Sequence, residues 1–97
     1  MDTVHRIQDV EFEWDVQKAQ VNFTKHGVSF EEAAEVFFDP FYQSGEASID
    51  GERRDFVLGF STLQRILLVV YTDRSNRTRI ISARLATNHE RKLYEEA

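Results

Sequence analysis

Arg65-Ile66-Leu67-Leu68-Val69-Val70-Tyr71-Thr72-Asp73-Arg74-Ser75-Asn76-Arg77-Thr78-Arg79-Ile80-Ile81-Ser82-Ala83-Arg84 is the stretch that decides the fold. From Ile66 to Tyr71 it is apolar without a break, which suits a central strand covered at least partly on both faces. Arg74-Ser75-Asn76 is a turn too short to join anything but antiparallel neighbours. Asp50-Gly51 and Thr62-Leu63-Gln64 divide the preceding chain in the same way. Four strands are therefore expected, at about residues 42–48, 53–61, 65–73 and 77–84, and their short connections make them an antiparallel meander.

Helical spacing takes over on either side. Asp15 reads as the cap of a helix in which Val16, Ala19, Phe23 and His26 share a face and Gly27 ends the run. Ser29 and Glu32 form a capping box for a second helix, with Phe30, Ala33, Ala34 and Phe37 on one side and Asp39-Pro40 as the stop. Thr87 and Glu90 make another box at the head of a last helix. Before the first helix, Glu11-Phe12-Glu13-Trp14 alternates as a short edge strand does, while residues 1–10 are expected to be weakly ordered. The order is then β-α-α-β-β-β-β-α, an α+β fold with two N-terminal helices packed on a meander sheet and a C-terminal helix at its end.

Residues 1–97 suffice for one domain and one core, and eight Phe can fill it without staples. With no cysteine and only three scattered His residues, neither a disulfide, a metal site nor a cofactor is expected. No apolar run approaches the roughly 18 to 20 residues that span a bilayer. The opening residues lack the basic-then-apolar order of a signal peptide, so a cytoplasmic location is expected.

Charge is divided unevenly. Residues 1–52 carry 12 acidic and 3 basic side chains, whereas residues 53–92 carry 9 basic and 3 acidic. The net charge of −5 speaks against nucleic acid as a partner, but a cationic second half points toward it or toward an acidic protein.

Three groups of residues go beyond pattern. Phe12-Glu13-Trp14-Asp15 followed by Lys25-His26-Gly27-Val28-Ser29-Phe30-Glu31-Glu32-Ala33 resembles the N-terminal signature of the BrnT toxin family. Glu52-Arg53-Arg54 with Phe56-Val57-Leu58-Gly59 fits its middle. Arg79-Ile80-Ile81-Ser82-Ala83-Arg84 with Ala86-Thr87 and Glu90-Arg91 resembles its C-terminal signature. The resemblance implies a fold like that of RelE-type ribonuclease toxins and inhibition of translation by RNA cleavage. It also implies neutralisation by a BrnA-like antitoxin, in an assembly of two copies of each chain that meets operator DNA only through the antitoxin. Leu85, Asn88, His89 and Leu93 stand where members of the family commonly carry a denser run of arginines, which lowers phosphate affinity. A catalytically weak module that binds an antitoxin and serves only in autoregulation is the alternative.

A ribonuclease working without metal needs a group to take the 2′-hydroxyl proton, cations for the phosphate and an acid for the leaving oxygen. Lys25 and His26 qualify for proton transfer, since histidine titrates near neutrality, although both also suit the negative end of a helix dipole. Glu52 is a carboxylate candidate for the same task, with an ion pair to a neighbouring Arg as the other reading. Arg53 and Arg54 point to opposite faces, so only one can line a site. Arg79, among apolar neighbours, requires a carboxylate or a phosphate to meet its planar fork and is the leading phosphate contact. Arg77, Arg84, Arg53 and Arg91 are the further RNA-binding candidates. In simple alternation Arg77, Arg79, Ile81 and Ala83 share one face and Thr78, Ile80, Ser82 and Arg84 the other. Trp14 and Tyr71 serve either the core or base stacking.

Overall fold

The computed structural model describes residues 1–97 as β1 (Asp2–Ile7), β2 (Val10–Asp15), α1 (Val16–His26), α2 (Phe30–Glu35), a 3-10 turn (Val36–Phe38), β3 (Gln43–Glu46), β4 (Asp55–Phe60), β5 (Ile66–Arg74), β6 (Arg77–Leu85) and α3 (Asn88–Glu95). Asp15 closes β2 and opens α1, its carboxylate accepting from the N–H of Lys18 at 3.0 Å. Gly27, at φ 69°, ends the helix by donating its N–H to the Phe23 carbonyl. Both ends fall where the sequence puts them. Ser29 caps α2, but Glu32 does not return the bond of a capping box, because its carboxylate turns inward to Arg65 and Ser61. The α2 helix also stops early, tightening into the 3-10 turn before Asp39-Pro40 is reached. At Thr87 and Glu90 the reciprocal box is complete.

One six-stranded sheet in the order β1-β2-β6-β5-β4-β3 carries all the strands. Its β3 to β6 part is the expected meander, every neighbour antiparallel. Two features correct the expectation. Residues 2–7, expected to be weakly ordered, form β1, which pairs along its whole length with β2. The link is Gln8-Asp9 with φ 48° and 69°, the positive values that a two-residue hairpin needs. Secondly, β2 runs parallel to β6, with Glu11 opposite Arg77 and Glu13 opposite Arg79. The sheet is therefore mixed, not a purely antiparallel meander. The meander leaves one edge of β6 with unpaired main-chain groups, and docking β2 there satisfies them while carrying Phe12 and Trp14 under α2.

Between β5 and β6 the register slips by one residue. Tyr71 faces Ile80 while Val70 faces Ser82, so Ile81 is the extra residue of a bulge. Simple alternation fails there: Arg79, Ser82 and Arg84 stand on one face, with Ile80 and Ala83 on the other.

The core lies between the helices and that second face. Phe12, Trp14, Val57, Leu67, Val69, Ile80 and Ala83 of the sheet meet Val28, Phe30, Ala33, Ala34 and Val36. Trp14 packs edge-on to Phe30 at 5.8 Å and Tyr71 edge-on to Phe37 at 5.0 Å, so both aromatics belong to this packing. Across the sheet, α3 is fastened by Arg84, which grips Glu90 at 2.8 and 3.0 Å, and by Gln43, which donates to the Leu93 carbonyl. No helix is long and apolar enough to cross a membrane.

Candidate functional site

The pairing of β2 with β6 ends at Glu13 and Arg79, and from Ile81 onward α1 takes the place of the missing strand. Asn22, buried on α1, supplies what a neighbouring strand would. Its Nδ2 donates to the Ala83 carbonyl at 2.8 Å and to the Val28 carbonyl at 3.0 Å, and its Oδ1 accepts from the Ala83 N–H at 3.2 Å. A helix held against a strand edge leaves a furrow between them. This one has a volume of about 480 Å³, with Lys18, Lys25 and His26 on the helix side, Ser82 on the strand side and Asp15 at one end.

Lys25 and His26 reach the furrow because they occupy the last turn of α1, one helical turn beyond Asn22. Lys18, seven positions before Lys25, lies on the same side of the helix and joins them. Neither lysine is ion-paired with a carboxylate. That sets them apart from the arginines, eight of which are paired: Arg6, Arg53, Arg54, Arg65, Arg74, Arg77, Arg79 and Arg84.

Arg79 is the most enclosed of the sheet-face arginines. Its Nη1 and Nη2 each donate to one oxygen of Asp2 at 3.1 Å, and Nη1 also reaches Glu13 at 2.5 Å. The Asp2 bonds and then Glu13 hold the guanidinium above its ordinary pKa, against the cost of burial. Arg77 is taken by Glu11 at 3.1 Å, and Arg74 lies 3.6 Å from Glu13. Of the two readings open for Arg79, the carboxylate is the one present. Five arginines of the cationic half, Arg54, Arg65, Arg74, Arg77 and Arg79, thus meet carboxylates of the acidic half.

Arg84 stands two residues past Ser82 on the furrow's face, its fork filled by Glu90. Glu52 does not join the furrow. It lies in the turn before β4, beyond β5 from β6, and meets Arg54 at 3.3 Å. Arg53, three-quarters exposed, is beside Asp55 in the same region. Arg91 is exposed on α3 and unpaired. The structure therefore brings Lys25 and His26 together, sets Arg79 and Arg84 on the adjoining sheet face, and leaves Glu52, Arg53 and Arg91 elsewhere.

Sequence reasoning missed Lys18, Ser82 and Asn22. For Lys18 the signal was available, since seven residues is two helical turns from Lys25. Ser82 was hidden by the bulge. Chemically, the furrow offers two free ammonium groups, an imidazole and a hydroxyl. Such a set can hold a phosphate group and carry a proton to or from it.

A family model described as "Ribonuclease toxin, BrnT, of type II toxin-antitoxin system" matches residues 14–90. Residues 1–13, with β1 and most of β2, lie outside that span. Among solved structures, the crystal structure of the Brucella abortus ribonuclease toxin BrnT aligns with a TM-score of 0.60 at 25% identity, over 77% of this chain and 94% of that one. No curated protein matches. The mixed sheet is the point at which the fold differs from the all-antiparallel, RelE-like arrangement expected from the sequence.

Proposed function

The chain belongs to the BrnT family of ribonuclease toxins of type II toxin–antitoxin systems, and from that premise we propose that it is a cytoplasmic endoribonuclease toxin, a single domain that stops translation by cutting RNA. A BrnA-like antitoxin neutralises it, two copies of each chain forming the complex, and operator DNA is met only through that antitoxin. The observation that carries the RNA-directed reading is the furrow in which Lys18, Lys25 and His26 face Ser82 with no carboxylate paired to either lysine. In the reaction the ribose 2′-oxygen attacks the adjacent phosphorus and the bond to the 5′-oxygen breaks, leaving a 2′,3′-cyclic phosphate and a 5′-hydroxyl. His26 passes the proton, and Lys18 and Lys25 meet the charge that grows on the phosphate. Neither a metal nor a cofactor has a part in it.

Expression of the chain alone tests this. Growth arrest with shortened cellular RNA is expected; undisturbed growth and intact RNA at good expression would remove the reading.

The pairing of eight arginines with carboxylates favours a second reading, an antitoxin-binding module of weak activity that serves autoregulation. Such a chain binds its partner tightly and leaves growth untouched.

A further inference from the structure

Asp2 grips Arg79 as a phosphate would. Its two oxygens accept from Nη1 and Nη2 at 3.1 Å each, the paired geometry by which a guanidinium meets the free oxygens of a phosphodiester. The strand that supplies Asp2 is an outer one. β1 is an edge paired only with β2, none of its six residues is buried, and it lies outside the family span. Segments with so few buried contacts open at low cost. Glu13 is held differently, because Phe12 and Trp14 on either side of it are sealed in the core. When β1 lifts, Asp2 leaves and Glu13 stays. An ion pair in which Asp2 is half exposed adds little to stability, so a polyanion competes for the same hydrogens at small cost.

We infer that β1 is an internal competitor for nucleic acid: Asp2 holds the place of a phosphate on Arg79, and the backbone of a single-stranded RNA displaces the strand to reach Arg79. The inference rests on the RNA-directed reading above and adds a regulated contact to it. The three arginines lie on one face at the end of the β5–β6 hairpin, Arg74 directly opposite Arg77. Of the carboxylates that engage them only Asp2 belongs to β1; Glu11 and Glu13 stay on β2 with Arg77 and Arg74, so lifting β1 opens a place at Arg79 alone.

The test is binding of a 2′-O-methyl oligoribonucleotide, which lacks the free 2′-hydroxyl and is not cut, over a series of salt concentrations. Asp2→Asn is expected to tighten binding about three- to tenfold at low salt and to steepen the slope of log affinity against log salt by about 0.7, the effect of one more phosphate neutralised on a single strand. Asp9→Asn alters the charge of the same hairpin equally, but Asp9 touches only Arg6, at 3.5 Å, and is expected to change neither quantity. The double variant Asp2→Asn/Arg79→Ala is expected to lose the gain. In the wild-type chain, RNA is expected to speed amide exchange along β1. An unchanged slope in Asp2→Asn, an equal gain in Asp9→Asn, a gain that survives Arg79→Ala, or β1 amides still protected with RNA bound each overturns the inference. Cleavage of unmodified RNA is read separately. Cleavage without an Asp2 effect removes the competitor and keeps the ribonuclease; an Asp2 effect without cleavage does the reverse.

Discussion

Asn22 and Ala83 are joined by hydrogen bonds in both directions, side chain to main chain, so that one amide on a helix completes the edge of a strand. A third bond to Val28 fixes the loop after α1 to the same point. Removing the amide leaves a buried N–H and two buried carbonyls without partners. Asn22→Ala is expected to cost on the order of 3 kcal/mol. Urea denaturation checks it: the midpoint should fall while the slope stays the same.

Acid should unfold the protein through a few identified carboxyls. Burial raises the Glu32 pKa, but bonds from Arg65 and Ser61 outweigh it and hold the carboxyl below its ordinary value of 4.5. Burial likewise opposes the bonds from Tyr94, Phe41 and Phe60 that keep Asp39 below 3.8, and Arg84 first of all keeps Glu90 below 4.5. A depressed folded-state pKa gives stability that is present above the unfolded value and lost as pH falls through the folded one. Stability measured by denaturant titration should therefore hold steady from neutrality down to about pH 4.5 and decline below it. Glu32→Gln should be less stable at pH 7 and should flatten the acid limb.

At the alkaline end Tyr94 has the opposite sign. Burial, and then its bond to Asp39, push its hydroxyl up to about 12 from 10.0. The stability this bond contributes is complete below the unfolded value and is lost as pH rises toward the folded one. A phenolate absorbance titration should show Tyr94 ionising late, in company with Tyr71, which burial first of all also raises above 10.0. Tyr94→Phe should lessen the late absorbance change by one phenolate, cost about 1 kcal/mol and speed exchange in α3 before other elements.

Lys25→Ala and His26→Gln should leave the fold intact, since neither residue is in the core or in an ion pair. If His26 carries the proton, His26→Gln lowers the rate of RNA cleavage by about 100-fold or more. Lys25→Ala should weaken binding of uncut RNA and lessen its salt dependence. Equal cleavage by all three chains would place the chemistry outside the furrow.

Gln8 and Asp9 adopt a left-handed backbone that side chains other than glycine enter at a cost of roughly 1 kcal/mol each. Replacing the pair by Asn-Gly should raise the protection of β1 amides in exchange measurements. It should also weaken binding of RNA, because the strand that must lift is held more firmly.

What the sequence made legible was local. The caps at Asp15, Gly27 and Thr87 and the four meander strands are written in residues a few positions apart, and the structure has them. β1 escaped because its turn has no glycine to announce it. The parallel pairing of β2 and β6 joins positions 66 apart, and no short-range pattern encodes such a match. Arg79 reads in the sequence as a phosphate contact first and an ion pair second, and the carboxylates that fill its fork are 77 and 66 residues away, out of reach of any local pattern. Alternation also failed to place Arg84 on the face of Arg79, because a bulge has no signature in a run such as Ile80-Ile81-Ser82.

That bulge makes β6 a matter of counting. The extra position at Ile81 has no partner on β5, so loss of one residue between Arg79 and Ala83 would remove the bulge and restore regular pairing, with Ala83 still opposite Val69 and Arg84 still opposite Leu68 on the faces they hold now. One codon can therefore be lost here during divergence without turning the side chains that follow. Among related genes this strand should occur both with and without the extra position.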